Sequence, residues 1–185
     1  NDSIFQLEKF IKTYPGNDRM SYAHYLLAMS HYGKIVNEKK DIGPLIESKK
    51  NFTFVVENYP NTDFSIDARF KLDLIEETLA SKEMFIAKHY IKKEKWIPAI
   101  NRLKFILKEY ETTVYVEEAI HRLVEINYKI GLIDESKKYA SLLGYNYASS
   151  KWYKRSYKIL NKSYDDPYKK IKKKSTISKI KSILD

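Results

Sequence analysis

Residues 54–72 carry the sequence FVVENYPNTDFSIDARFKL, in which an apolar segment ends at Tyr59, a turn follows at Pro60, and Ala68 stands nine residues after the tyrosine. Leu72 follows four residues later. The same spacing occurs twice more, in the sets Tyr14, Ala23, Leu27 and Tyr110, Ala119, Leu123. A repeat of roughly 35 to 50 residues with helical spacing is typical of stacked helix pairs, which usually bind other proteins. We predict an all-α superhelix of stacked antiparallel helix hairpins, with the alanines at helix crossings and the tyrosine rings above them.

Apolar spacing and turn residues divide the chain into eight predicted helical segments. Their approximate ranges are 4–13, 18–36, 44–59, 63–93, 96–110, 114–130, 134–143 and 150–160. Residues 61–63 and 149–150 are predicted N-terminal caps, Gly131 a C-terminal cap, and residues 37–43 a loop. Because 63–93 is long for one ordinary helix, we expect a break at residues 80–82. The hairpin array is predicted to cover 1–164, with its N-terminal part truncated, and 165–185 to form a basic, frayed or disordered tail.

Composition narrows the classes of protein to which the chain can belong. The 185 residues include no cysteine, which excludes disulfides and thiol chemistry from this segment, and only five glycines and five prolines, few for an all-β fold. No apolar run is long enough to span a membrane, and no signal peptide is visible. The chain opens with Asn1 instead of methionine and runs at once into half of a hairpin. We expect a fragment or a mature form of a longer protein.

The net charge of +10 is concentrated near the C-terminus. Residues 151–185 contain eleven lysines and one arginine against three aspartates, a net charge of +9. Such a segment can keep a protein soluble, or bind an anionic membrane surface or an acidic partner. Its interleaved lysines and tyrosines also suit nucleic acid, but arginine is scarce. We therefore predict no nucleic-acid partner.

The sequence predicts no catalytic, cofactor-binding or metal-binding residues. His24 and His31 lie seven residues apart on one predicted helix, but no acidic or cysteine residue completes a metal set, so we expect surface or packing histidines. The adjacent pairs Glu76-Glu77 and Glu117-Glu118 point about 100° apart on a helix and are expected to be solvated. Glycine-rich phosphate loops and hydrolase or zinc-protease motifs are missing. A pocket that brings a histidine and carboxylates into contact would revive an enzymatic function.

One hairpin carries the spacing of a known repeat. Ala87, Tyr90, Ala99, Leu103 and Ile106 resemble the small, aromatic and bulky key positions of the tetratricopeptide repeat, with the hairpin turn at residues 93–95. This resemblance implies a protein-binding scaffold of tetratricopeptide hairpins.

The order of several segments gives a closer resemblance. These segments are Asn58-Tyr59-Pro60-Asn61-Thr62, Asp67-Ala68, Ala87-Lys88-His89-Tyr90-Ile91, Trp96-Ile97-Pro98-Ala99-Ile100-Asn101-Arg102-Leu103 and Leu107-Lys108-Glu109-Tyr110. Over about residues 4–160 the chain resembles the BamD (ComL) family, tetratricopeptide lipoproteins of the bacterial outer-membrane β-barrel assembly machine. It departs from the family at Glu94, where the turn commonly has glycine, and at Glu111, where proline usually follows the tyrosine. The lysine-rich tail is also unusual, and the first repeat and the lipid-bearing cysteine are missing.

The resemblance implies a non-catalytic scaffold, without cofactors, at the periplasmic face of the outer membrane. It implies binding to the periplasmic domains of the barrel insertase and to other lipoproteins of the complex, help in inserting unfolded β-barrel precursors, and a lipid anchor outside this chain. The implied insertase contact is Arg102, whose guanidinium can hold a carboxylate with two hydrogen bonds, together with Asn101 and Trp96. Arg102 as a plain exposed arginine stays an alternative. So does a tetratricopeptide adaptor of another envelope or cytoplasmic complex.

Overall fold

A computed structural model describes residues 2–34 and 42–161. These residues form eight helices and no strand, which confirms the predicted all-α fold class. The helices are α1 (Asp2–Thr13), α2 (Met20–Tyr32), α3 (Gly43–Asn58), α4 (Asp63–Lys92), α5 (Trp96–Glu109), α6 (Tyr115–Lys129), α7 (Ile133–Asn146) and α8 (Lys151–Leu160). The predicted tail, 165–185, and most of the predicted loop at 37–43 lie outside the described residues. None of the described helices is both long and apolar enough to cross a membrane.

The chain divides into two compact units, Asn1–Val116 and Glu117–Asp185. In the first unit, α1 packs on α2, α2 on α3, α3 on α4 and α4 on α5. Phe52, Val55 and Ile75 are among the fully or almost fully buried residues of its core. Small side chains let α2 and α3 approach closely. As a result, the buried Ser48 hydroxyl of α3 donates a hydrogen bond to the Ala28 carbonyl oxygen of α2 over 3.0 Å. The unit is therefore a series of helix pairs that share faces.

The predicted break at residues 80–82 is wrong, because α4 runs unbroken from Asp63 to Lys92. Thr62 caps its start, and its hydroxyl accepts a hydrogen bond from the Ser65 amide over 3.2 Å. No glycine or proline interrupts the helix, and Leu79, Ala80 and Met84 are buried around the proposed break. Contacts with α3 and with α5 keep this helix of 30 residues in one piece.

The turn between α4 and α5 is a helix end of the kind that normally requires glycine. The Lys95 amide donates to the Tyr90 carbonyl oxygen over 3.0 Å and the Glu94 amide to that of Ile91 over 3.0 Å, the two bonds of a Schellman motif. Glu94 has φ of 55°, in the left-handed region that L-residues with a Cβ rarely adopt. A glycine at this position would remove that strain.

The second unit contains most of α6 together with α7 and α8. The C-terminal end of α6 repeats the Schellman motif, with Gly131 at φ of 85° and a Leu132 amide that donates to the Asn127 carbonyl oxygen. The buried Ser136 hydroxyl of α7 donates to the Val124 carbonyl oxygen of α6 over 2.9 Å. Gly144 lies inside α7, where the Tyr153 ring of α8 packs directly over it. Ser150 caps α8 as predicted, accepting from the Trp152 amide.

The repeated alanines are core residues, as the spacing predicts: Ala23, Ala68 and Ala119 are at most 4 % exposed. Tyrosine placement agrees only in part. Tyr110 is buried, but Tyr14 is 57 % exposed and packs on Phe10 of the preceding helix, α1, instead of filling space above an alanine. The prediction is therefore wrong for that ring.

Candidate functional site

The side chains predicted to bind a partner lie on or beside the exposed surface of α5. Asn101 and Arg102 are exposed and, together with Tyr90, Pro98 and Phe105, line a shallow depression of about 360 Å³. We call these five residues the Arg102 surface. Phe105 is 40 % exposed, so an apolar ring lies beside the guanidinium. A charge next to an exposed aromatic ring is a combination common in the centres of protein interfaces.

Arg102 is held in place by Glu83, a residue that no sequence motif indicates. Its Nη1 donates to both carboxylate oxygens of Glu83 on α4, over 3.0 and 3.3 Å. The Glu83 side chain is only 14 % exposed, whereas that of Arg102 is 45 % exposed. The ion pair therefore fixes one side of the guanidinium and leaves the rest of its surface open to a partner.

Trp96 is not part of this depression. It is the first residue of α5, half-buried, about one and a half turns before Asn101. Proline at the third position of the helix costs no hydrogen bond, so α5 starts cleanly there. The structure thus brings Asn101 and Arg102 together and places Trp96 apart from them.

A larger groove lies next to the Arg102 surface within the first unit. It holds about 670 Å³ and shares Phe105 with the Arg102 surface, and it is also lined by Glu83, the ion-pair partner of Arg102. Most of the surface that lines the groove is apolar, although three lysines contribute to it. The lining residues are His24, Ile42, Ile46, Lys49, Lys50, Asn51, Thr53, Phe54, Glu57, Leu79, Lys82, Glu83, Phe105 and Tyr110. An extended segment of another chain could fit such a groove, whose walls belong mainly to α3, α4 and α5.

Two charged residues of this groove, Lys49 and Glu83, form ion pairs with residues outside its lining. Lys49 bonds Glu76 over 2.9 Å and lies 5.4 Å from the centre of the Tyr110 ring. Burial, and then the nearby charge of Glu83, raise the pKa of Tyr110. His24 bonds Asn51 over 3.0 Å and packs on Phe54. His24 is therefore a packing histidine, as predicted.

The prediction that the paired glutamates are solvated is wrong. Glu76 and Glu77 are half-buried: Glu76 bonds Lys49, and Glu77 accepts from the Val114 amide over 3.0 Å. In the second unit Glu117 accepts from the Ser150 hydroxyl, and Glu118 bonds Arg122 over 3.1 Å. Three of these carboxylates hold a neighbouring element in place, whereas Glu118 bonds Arg122 of its own helix, and the two members of a pair point to different partners.

One buried cluster has the residue types of a hydrolase triad. His121 Nδ1 lies 2.8 Å from the Ser156 hydroxyl, and its Nε2 lies 3.3 Å from Glu125. Ser156 is fully buried and His121 is 2 % exposed, so no substrate reaches the hydroxyl. Thirty-five residues separate His121 from Ser156, too far for local spacing to indicate the contact. The cluster acts as a polar link between α6 and α8.

The described residues contain no group of three or more His, Cys, Asp or Glu side chains placed to hold a metal ion. What the first unit does present is a fixed cation, an exposed ring and an apolar groove. These features can bind a protein surface or a peptide.

Comparison with known proteins indicates the family of the chain. Residues 1–143 match the YfiO family, described as outer membrane lipoprotein. A protein of Rickettsia prowazekii is 42 % identical over 165 residues, which is 89 % of this chain and 65 % of that protein. One of Caulobacter vibrioides is 38 % identical over 160 residues, 86 % of this chain and 52 % of its own length. Each is named outer membrane protein assembly factor BamD, and the chain spans about half to two thirds of their lengths.

Proposed function

The chain belongs to the YfiO family of outer membrane lipoproteins, and we propose that it acts as a non-catalytic scaffold in the assembly of outer-membrane proteins. Relatives that are 42 % and 38 % identical carry the name of assembly factor BamD, which supports this role. In this proposal the scaffold binds the periplasmic domains of the barrel insertase and other lipoproteins of the complex, and helps to insert β-barrel precursors. Its place is the periplasmic face of the outer membrane, where a lipid anchor outside this chain holds it.

The observation that carries the proposal is the exposed guanidinium of Arg102, which Glu83 holds on the surface of α5. A cation that is already oriented loses little side-chain freedom when it meets a partner carboxylate. Asn101 can add a hydrogen bond beside it, and Phe105 can bury apolar area. Trp96 acts in this proposal at the edge of the contact, at the start of the same helix. Charge sets the orientation and the rate of docking, and the ring adds affinity.

Titration of the purified chain with the insertase's periplasmic domains tests this function. We expect Arg102→Glu to weaken binding at least about tenfold, equivalent to about 1.4 kcal/mol, because it replaces attraction by repulsion. Arg69→Glu is the matched control, since Arg69 is an exposed arginine on α4. Equal affinities for the original chain and both variants, all with helical circular dichroism, would remove the Arg102 surface from the interface.

A further inference from the structure

The last described helix, α8, presents a row of positive charges that neither the fold nor the proposed function uses. Lys151, Arg155 and Lys158 are exposed and stand at positions i, i+4 and i+7, so they share one face of the helix. The row spans about 10 Å, from seven residues at 1.5 Å each. Ser156 is buried on the opposite side of the helix, and its hydrogen bond with His121 anchors that side. We call these three residues the α8 row.

Within the described ranges, no acidic residue forms an ion pair with the α8 row. The sequence of α8, KWYKRSYKIL, contains four basic residues and no acidic one, and the three cations of the row form no ion pair among the described residues. Two of them lie against one aromatic ring: Lys151 Nζ is 5.0 Å, and Arg155 Cζ 4.9 Å, from the centre of the Trp152 ring. These cation–π contacts hold like charges close together. Two of the three cations are therefore held in place, and the row as a whole is a site of positive potential.

Aromatic residues stand on both sides of this row. Trp152, half-buried, is one position after Lys151, and Tyr157, 38 % exposed, is one position before Lys158. Indole and phenol rings favour the boundary between lipid and water, because each joins an apolar body to a polar group. A row of cations flanked by such rings is the arrangement by which a helix lies on an anionic membrane surface.

We propose that the α8 row is a docking surface for anionic phospholipid headgroups at a membrane. Two of its three cations are lysines, point charges that suit a diffuse anionic surface, whereas arginine predominates where one carboxylate is held by two bonds. The row is straight and exposed, so it meets several headgroups at once. The choice of a membrane over an acidic protein rests on the proposed function, which places the chain beside a membrane. α8 lies beyond residues 1–143, so it is an addition to what the family match covers.

Binding of the full chain to phospholipid vesicles tests this inference. The probes are vesicles of phosphatidylcholine alone and vesicles that also contain phosphatidylglycerol. The test variant is Lys151→Gln/Arg155→Gln/Lys158→Gln. The control is Lys129→Gln/Lys137→Gln/Lys138→Gln, which removes three exposed cations from α6 and α7. A basic residue near an anionic surface contributes about 1 kcal/mol, a factor of about five, so the test variant should bind about 100-fold more weakly. The control should lose much less, and salt should weaken binding throughout.

Two results would overturn the inference. One is equal loss in both triple variants, which would make binding an effect of net charge alone. The other is that the chain binds both kinds of vesicle equally but binds poly-glutamate or a DNA duplex. That result would indicate an acidic macromolecule as the partner. Insertase titrations contain no lipid, so their outcome and this one are independent.

Trp152 fluorescence gives a second measurement on the same protein. In a Trp96→Phe background Trp152 is the one remaining tryptophan of the sequence. We expect its emission to shift to shorter wavelength when vesicles containing phosphatidylglycerol are added, because the ring enters a less polar layer. Unchanged emission at saturating vesicle concentration would place α8 away from the membrane.

Discussion

Replacing Glu94 by glycine should stabilise the hairpin of α4 and α5. Glu94 holds φ of 55° at the end of α4, where two backbone bonds fix the turn. A residue with a Cβ costs roughly 1–2 kcal/mol in this conformation, and glycine avoids that cost. Glycine also has more freedom in the unfolded chain, which takes back about 0.4–1 kcal/mol. The net expected gain in the free energy of unfolding is about 0.5–1 kcal/mol, or a rise of about 1–4 °C in Tm.

Urea unfolding followed by circular dichroism measures this gain, and Glu94→Ala is the matched control. Alanine removes the same side-chain contacts and keeps the strained conformation, so it should bring no gain. The strain argument is refuted if alanine stabilises the chain as much as glycine does, because the glutamate side chain would then be the cause. Gly131→Ala at φ of 85° supplies the reverse test, with an expected loss of about 1 kcal/mol.

Two further predictions concern the second unit. A Cβ at Gly144 would stand 2.6 Å from Tyr153 Cε2, so Gly144→Ala should cost about 1–3 kcal/mol, measured by denaturant unfolding. Tyr153→Ala should lower the free energy of unfolding less in the Gly144→Ala variant than in the original chain, because it removes the clashing ring. Strictly additive losses in the double variant would show that the two residues do not clash. Burial raises the pKa of Glu125, but hydrogen bonds from His121 and Arg122 outweigh it and hold the pKa below its ordinary value. Its stabilising effect is therefore full above about pH 4.3 and is lost as the pH falls through the folded-state pKa. Glu125→Gln should flatten this acid loss in a series of unfolding curves, and an unchanged acid profile would contradict the assignment.

Fold class and helix order could be predicted because they depend on local patterns. The spacing of Ala68 and Leu72 from Tyr59 indicates which side chains face a neighbouring helix, and Gly131 marks the end of α6. Helix length was harder to predict. The expected break at residues 80–82 rested on the usual length of helices, whereas contacts with α3 and α5 hold α4 as one helix.

The site could be predicted only in part, because Tyr90 and the ion-pair partner Glu83 lie on another helix, α4. Asn101 and Arg102 were both predicted from one segment of the sequence, and they do share a surface. Glu83 stands nineteen residues earlier, and its role appears only when α4 and α5 fold back on each other. Counting outward from the turn at Glu94 would have placed Glu83 and Arg102 at comparable distances along the two helices. No such local signal exists for His121 and Ser156, which belong to helices separated by α7.

Exchange of the two charges, Arg102→Glu/Glu83→Arg, tests most directly whether Arg102 meets a partner or only joins two helices. The exchange restores an ion pair between α4 and α5, so stability should return to within about 1 kcal/mol of the original chain. Affinity for the insertase's periplasmic domains, measured by titration, should stay at least about tenfold weaker, because a negative charge now stands where the partner requires a positive one. Full recovery of affinity in the exchanged variant would contradict the account and leave Arg102 a purely structural residue.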